Sequence, residues 1–260
     1  MELGLKDKVA LVTDGTSAVG IAIAATFAAE GAKVAIVGSD GKALDRAKQT
    51  LRDGAVLDLR ADLNSEAEVR RLVADTIARL GRIDIVVNNA GTEVYGAIDE
   101  VSTGQVSDLL RQKVLAPWEL ARAVAPHMRK QGGGRIILVI SDAGKIPGRS
   151  MLASAVAGAA QHAFVKSLSD ELGPSGVLVT SVSAGHIRDS NGPEAPVKRD
   201  PHVSRSLEQQ ESGWAGDVPL GRWGTPADVA NAVVFLSSES AGFVCGSNLD
   251  VDGGDQRLIF

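Results

Sequence analysis

Short apolar runs rich in valine and isoleucine alternate with longer stretches in which apolar side chains return every three or four residues. The short runs predict strands at Val9–Thr13, Lys33–Val37, Ala55–Arg60, Ile83–Asn88, Arg135–Ser141, Val177–Val182 and Asn248–Val251. The periodic stretches predict helices over 18–30, 41–52, 65–80, 103–131, 150–172 and 225–236. Within 65–80, Val69, Leu72, Val73, Ile77 and Leu80 recur at helical spacing, Asn64 and Ser65 offer N-caps, and Gly81 marks the stop. Strands alternating with helices of this length imply right-handed crossovers. The expected fold is therefore α/β, a doubly wound parallel sheet with helices on both faces, in a single domain covering 1–260. One segment breaks the rhythm. Residues 186–215 are polar, rich in proline and charge, and aperiodic, and they lie beyond the sixth strand, where an insertion reads as a substrate lid.

Composition narrows the function classes. A chain of 260 residues with 44% hydrophobic and 3% aromatic content can bury a substantial core of small side chains. A net charge of −5 and the absence of any basic run exclude a nucleic-acid surface. The single Cys245 rules out an internal disulfide and a cysteine metal site, which points to a reducing, cytoplasmic setting. The opening MELGLKDKVALVT lacks the apolar core of a signal peptide, and no 18-residue apolar stretch predicts a membrane span. His127, His162 and His202 lack metal-ligand spacing, so no metal is expected.

Four stretches in order carry a resemblance. KDKVALVT runs into a glycine-containing turn and AIAATFAAEGAKVAIV; NNAG stands at Asn88–Gly91; GRIILVIS ends in Ser141 with Gly144 after it; and PLGRWGTPADVANAVVFLSSESAGFVCGSNLDVDGG closes the chain. From residue 6 to about residue 254 the chain resembles the short-chain dehydrogenase/reductase family. The resemblance implies a Rossmann-type domain, assembled as a homodimer or homotetramer, that binds NAD or NADP and acts on a small molecule. It also implies catalysis by a serine and a tyrosine at a carbonyl, a lysine that lowers the tyrosine pKa, and an asparagine that orders a water relay. Gly15, Ser17, Gly20, Asp62, Asn89, Ala90 and Gly91 fall at its cofactor-binding positions; the end of the second strand has neither an acid nor a base at the usual place, and Asp40 is near enough to reach a ribose.

The departures concentrate at the chemistry. Asp14 and Ala18 stand where the family's turn has glycine, and a carboxylate beside a diphosphate is repulsive. The phosphate turn thus argues against a nicotinamide dinucleotide, while the adenosine half argues for one. Counting from Ser141 puts Ser154 at the tyrosine position and Gly158 at the lysine position, while Lys113 replaces the asparagine and Asp189 the carboxamide-binding threonine. A serine without a base beside it is too weak an acid to protonate a forming alkoxide. The candidate catalytic residues are Ser141, Lys113, His186, Ser154 and Tyr95, with Glu93 beside Tyr95. These residues leave three readings open. The first is non-redox chemistry (dehydration, isomerisation, decarboxylation or cyclisation) in a cleft enlarged at Ser154 and Gly158. The second is an NAD(P)H-dependent reductase of a carbonyl or activated alkene, with Tyr95 or Lys113 as proton donor. The third is a silent subunit paired with an active relative through the helix at 150–172.

Overall fold

The computed structural model describes residues 2–51, 56–89, 93–188 and 218–256. Seven parallel strands form one sheet in the order β3-β2-β1-β4-β5-β6-β7. They are β1 (Val9–Val12), β2 (Lys33–Gly38), β3 (Val56–Arg60), β4 (Ile85–Asn89), β5 (Gly134–Ser141), β6 (Val177–Ala184) and β7 (Asn248–Val251). The order reverses between β1 and β4, and it is outside the carboxyl ends of strands at such a reversal that a doubly wound sheet opens a crevice. The helices are α1 (Ala18–Ala29), α2 (Gly41–Thr50), α3 (Glu66–Leu80), α4 (Thr103–Leu110), α5 (Ala116–Lys130), α6 (Leu152–Leu172) and α7 (Pro226–Ser237).

Strand alternation divides the core in two. Leu11, Ala35, Ile136 and Leu138 face one way and pack with Leu72, Val124, Met128 and Val165 of α3, α5 and α6. Their neighbours Ala10, Val12, Ile137 and Val139 face the other way, onto Ile23, Phe27, Val229 and Val233 of α1 and α7. The helix ends reflect local chemistry. Ser65, rather than Asn64, caps α3 by accepting from Glu68 N, and Gly81 ends it in the left-handed region at φ 89°. Ser102 with Gln105 and Thr225 with Asp228 form capping boxes on α4 and α7.

One predicted element divides. The single helix expected over 103–131 is α4, a wide π-helical turn at Arg111–Leu115, and then α5. Pro117 explains the break, because it has no N–H to give the carbonyl of Lys113 four residues earlier. Most of the expected lid lies outside the described residues. Its entry, however, is pinned: Ile187 bridges Gly224, Gly224 N donates to His186 O, and Arg188 N donates to Gly224 O.

Candidate active site

The β1–α1 turn is built for close approach. A side chain on Gly15 would meet Ile36 at 2.6 Å, and one on Gly20 would meet the Asp14 carbonyl at 2.2 Å. Both glycines are therefore steric necessities of packing α1 against the sheet. Ser17 caps α1, accepting from Gly20 N at 3.1 Å and from Asn89 Nδ2 at 3.0 Å, and its hydroxyl donates to the Asp14 carbonyl. Asn89 N in turn donates to Thr13 Oγ1. Asp14 occupies the left-handed region at φ 45°. Burial pushes its carboxyl up to about 6, against a smaller lowering by the Ser17 hydrogen bond.

This turn opens on a cleft of about 260 Å³ between the ends of β1, β2, β3 and β4, lined among others by Asp14, Gly38, Asp40, Asp62, Asn64 and Asn89. Asp40 caps α2 through one oxygen, and Asp62 holds Asn64 N and Nδ2 at 2.9 and 3.1 Å. Ala90 and Gly91 lie outside the described residues. The cleft is lined by amide and carboxylate acceptors with Val37, Ala61, Leu63 and Ala116 among them. The Asp14 carboxyl at the phosphate turn does not fit a diphosphate.

The reacting end is filled. Lys113, at the π-helical turn, is 1% exposed and its Nζ lies 2.5 Å from Glu93 Oε1. The other oxygen of Glu93 is buried and takes no hydrogen bond. Ser154 is fully buried, and both functions of its hydroxyl are occupied by one residue: it accepts from Val94 N at 3.0 Å and donates to Val94 O at 3.2 Å. Gly96 N donates to Ser150 O, so residues 94–96 are fastened to α6 and the residues just before it, and Tyr95 lies half-buried among them.

The space expected at Gly158 is closed. Main chain occupies the place where a side chain at 158 would begin: a Cβ on Gly158 would lie 2.8 Å from Gly144 N and Cα. Replacing Gly158 with alanine is expected to cost about 1–3 kcal/mol as overpacking, read as a melting temperature lower by several degrees. An unchanged melting curve would mean that the Gly144 turn yields freely.

α6 packs against both the Lys113 turn and the Asp142–Gly144 turn, so the two flank the same helix. Ser141 caps the latter turn, accepting from Ala143 N at 3.2 Å. Beside it, burial raises the pKa of the Asp142 carboxyl, while nearby His186 lowers it in part. His186 stands 3.7 Å from Asp255 Oδ2 and meets Trp223 edge-on. Among the expected residues, Lys113 and Ser154 are thus each bound to the segment after β4, while Ser141 and His186 gather around Asp142. That aspartate carries more of the site's electrostatics than its sequence suggests. The available signal was its place directly after the serine at a strand's carboxyl end.

Among the described residues no cluster of ligating side chains suits a metal ion, and no helix is long and apolar enough to cross a membrane. A family model described as enoyl-(acyl carrier protein) reductase matches residues 15–255. Subunits BbsC and BbsD of (2S)-[(R)-hydroxy(phenyl)methyl]succinyl-CoA dehydrogenase from Thauera aromatica are 34% and 33% identical. The alignments cover 98% and 99% of this chain and 96% and 99% of those subunits. L-sorbose reductase from Gluconobacter frateurii, solved in complex with NADPH and L-sorbose, superposes with a TM-score of 0.90 at 30% identity over 100% of both chains. With the sheet order, the glycine turn and these matches together, the chain belongs to the short-chain dehydrogenase/reductase family of oxidoreductases.

Proposed function

We propose that this chain serves a short-chain dehydrogenase or reductase as its non-catalytic subunit, assembled with a chain that carries the hydride-transfer residues. One observation carries the reading: at the position of the family's proton donor, the Ser154 hydroxyl is occupied on both sides by the backbone of Val94. Two relatives, BbsC and BbsD, are named as subunits of one dehydrogenase, which supports pairing between such chains. An exposed apolar face along α5 and α6, with Leu115, Trp118, Leu152 and Val156, offers a contact surface.

The non-redox reading loses its support, because main chain closes the space expected at Gly158 and the relatives above are named as dehydrogenases and a reductase. The reductase reading keeps one specific support. Asp142, with its raised carboxyl pKa at the end of β5, is a side chain that stays protonated longer than an ordinary aspartate and can hand a proton to a forming alkoxide.

The test is hydride transfer by the purified chain with NADH and NADPH against aldehydes, ketones and 3-oxoacyl thioesters, beside native mass spectrometry after co-production with a catalytic relative from the same genome. The expected result is no turnover alone and a mixed oligomer together. Turnover by the chain alone that disappears in Asp142→Asn would establish the reductase reading instead. Installing Ser154→Tyr with Gly158→Lys is expected to give no turnover and a lower melting temperature, since Gly144 blocks the lysine.

A further inference from the structure

The cleft at the β1/β4 reversal carries an unusual charge pattern. Among the described residues three carboxylates line it, Asp14, Asp40 and Asp62, and no lysine, arginine or histidine does. Asp40 and Asp62 each accept hydrogen bonds from the protein through one oxygen, Oδ1. The remaining polar lining is neutral: Thr13, Thr16, Ser39, Asn64, Asn88, Asn89 and Gln112. Such a cleft suits a neutral ligand rich in N–H and O–H donors. Its volume, about 260 Å³, sits at the small end for small-molecule sites.

Asp14 decides whether a phosphate can sit beyond the sugar. A phosphate entering this fold sits at the N-terminus of the first helix, here capped by Ser17, whose hydroxyl donates to the Asp14 carbonyl. The backbone at Asp14 is left-handed, a conformation that glycine would adopt freely, and the residue lines the cleft. A carboxylate there meets a diphosphate at short range with no cation between them.

We propose that this cleft is a nucleoside site in which Asp14 excludes diphosphate ligands at neutral pH, so that adenosine binds in preference to ADP-ribose. The exclusion is proton-linked, because a protonated Asp14 removes the repulsion. The groups that line the cleft with Asp14 include Asp40 from the β2–α2 junction, Asp62 after β3, and the neutral Asn88, Asn89 and Gln112 from β4 and the π-helical turn. None of them supplies a positive charge, and Asp40 and Asp62 add to the repulsion.

The test is calorimetric titration of the whole chain with adenosine and with ADP-ribose at pH 5 and pH 8, in wild type and in Asp14→Asn. ADP-ribose is the chosen probe because its bridging diphosphate does not titrate in this range and it lacks the nicotinamide. Adenosine affinity is expected to change by less than about twofold between the two pH values. ADP-ribose affinity is expected to fall on the alkaline side, by about 100-fold at the limit where only protonated Asp14 admits it. Asp14→Asn is expected to remove most of that fall. The proposal is overturned if ADP-ribose binds equally at both pH values, if it matches adenosine at pH 8, if Asp14→Asn keeps the slope, or if neither ligand binds at millimolar concentration. Because only binding is read, the outcome is independent of whether the chain turns over a substrate.

Discussion

Asp14→Gly is expected to raise the melting temperature, and to raise it more at pH 8 than at pH 5. Two effects add. The first is conformational: an L-residue at φ 45° is strained, by about 1 kcal/mol, and glycine relieves it at every pH. The second is electrostatic. The folded carboxyl sits at about 6 because burial disfavours its charge, whereas the unfolded chain keeps the ordinary value of 3.8. Between those values the folded state holds more protons than the unfolded state, so stability falls as pH rises from about 4 to about 6 and stays low above that. Removing the carboxyl restores up to about 3 kcal/mol on the alkaline side and little at the acidic end. For a chain of this size the combined gain of up to about 4 kcal/mol corresponds to roughly 8–16 °C at pH 8. Thermal melts at several pH values measure it directly. Equal gains at all pH values would assign the whole effect to the backbone and leave the carboxyl without a role.

A residue retained against its own stability contribution is a reason to look for function. In this chain the place is the phosphate turn, where the family has glycine. The other end of the crevice shows no such cost: Ser154 is bonded to the backbone of Val94, and Gly158 packs against the backbone of Gly144. One end of the crevice thus carries an unfavourable charge and the other ordinary packing.

The parts of the fold that were legible in the sequence are those encoded locally. Val9–Val12 and Ile136–Ile140 are apolar on both faces, which marks buried parallel strands before any partner is known. Gly81 and Ser65 mark helix ends because their chemistry acts within one turn. The split of 103–131 was written in Pro117, but a proline near a helix start and a proline that breaks a helix look alike without the carbonyl of Lys113 in view. The site was less legible because its contacts are long-range. Nothing in the run from Glu93 to Ala97 says that Val94 meets Ser154 sixty positions later, or that Glu93 meets Lys113. The absence of a side chain at Gly158 reads as space in one dimension. In three dimensions Gly144 has closed on it.

Lys113→Met is expected to destabilise the protein by about 3–5 kcal/mol, the cost of leaving a partnered carboxylate buried and alone. Glu93 already has one oxygen without a hydrogen bond, so the loss of Nζ at 2.5 Å strands both. Its side chain is 16% exposed, which leaves water little access to compensate. The melting temperature should fall by roughly 6–20 °C for a chain of this length. The double variant Lys113→Met with Glu93→Leu replaces the pair by apolar groups, and such replacements are often neutral or stabilising. It is expected to recover most of the loss, giving a coupling free energy of about 2–3 kcal/mol in a double-mutant cycle. The same double variant separates two roles for Lys113. If the lysine serves only to hold the segment after β4 against the π-helical turn, the double variant folds and assembles with its partner chain as wild type does. If Lys113 instead delivers a proton to substrate, the double variant is folded and paired but loses whatever turnover the wild-type chain shows by itself. Additive single losses, with no recovery in the double variant, would mean that the two side chains contribute independently and that the pair does not close the crevice.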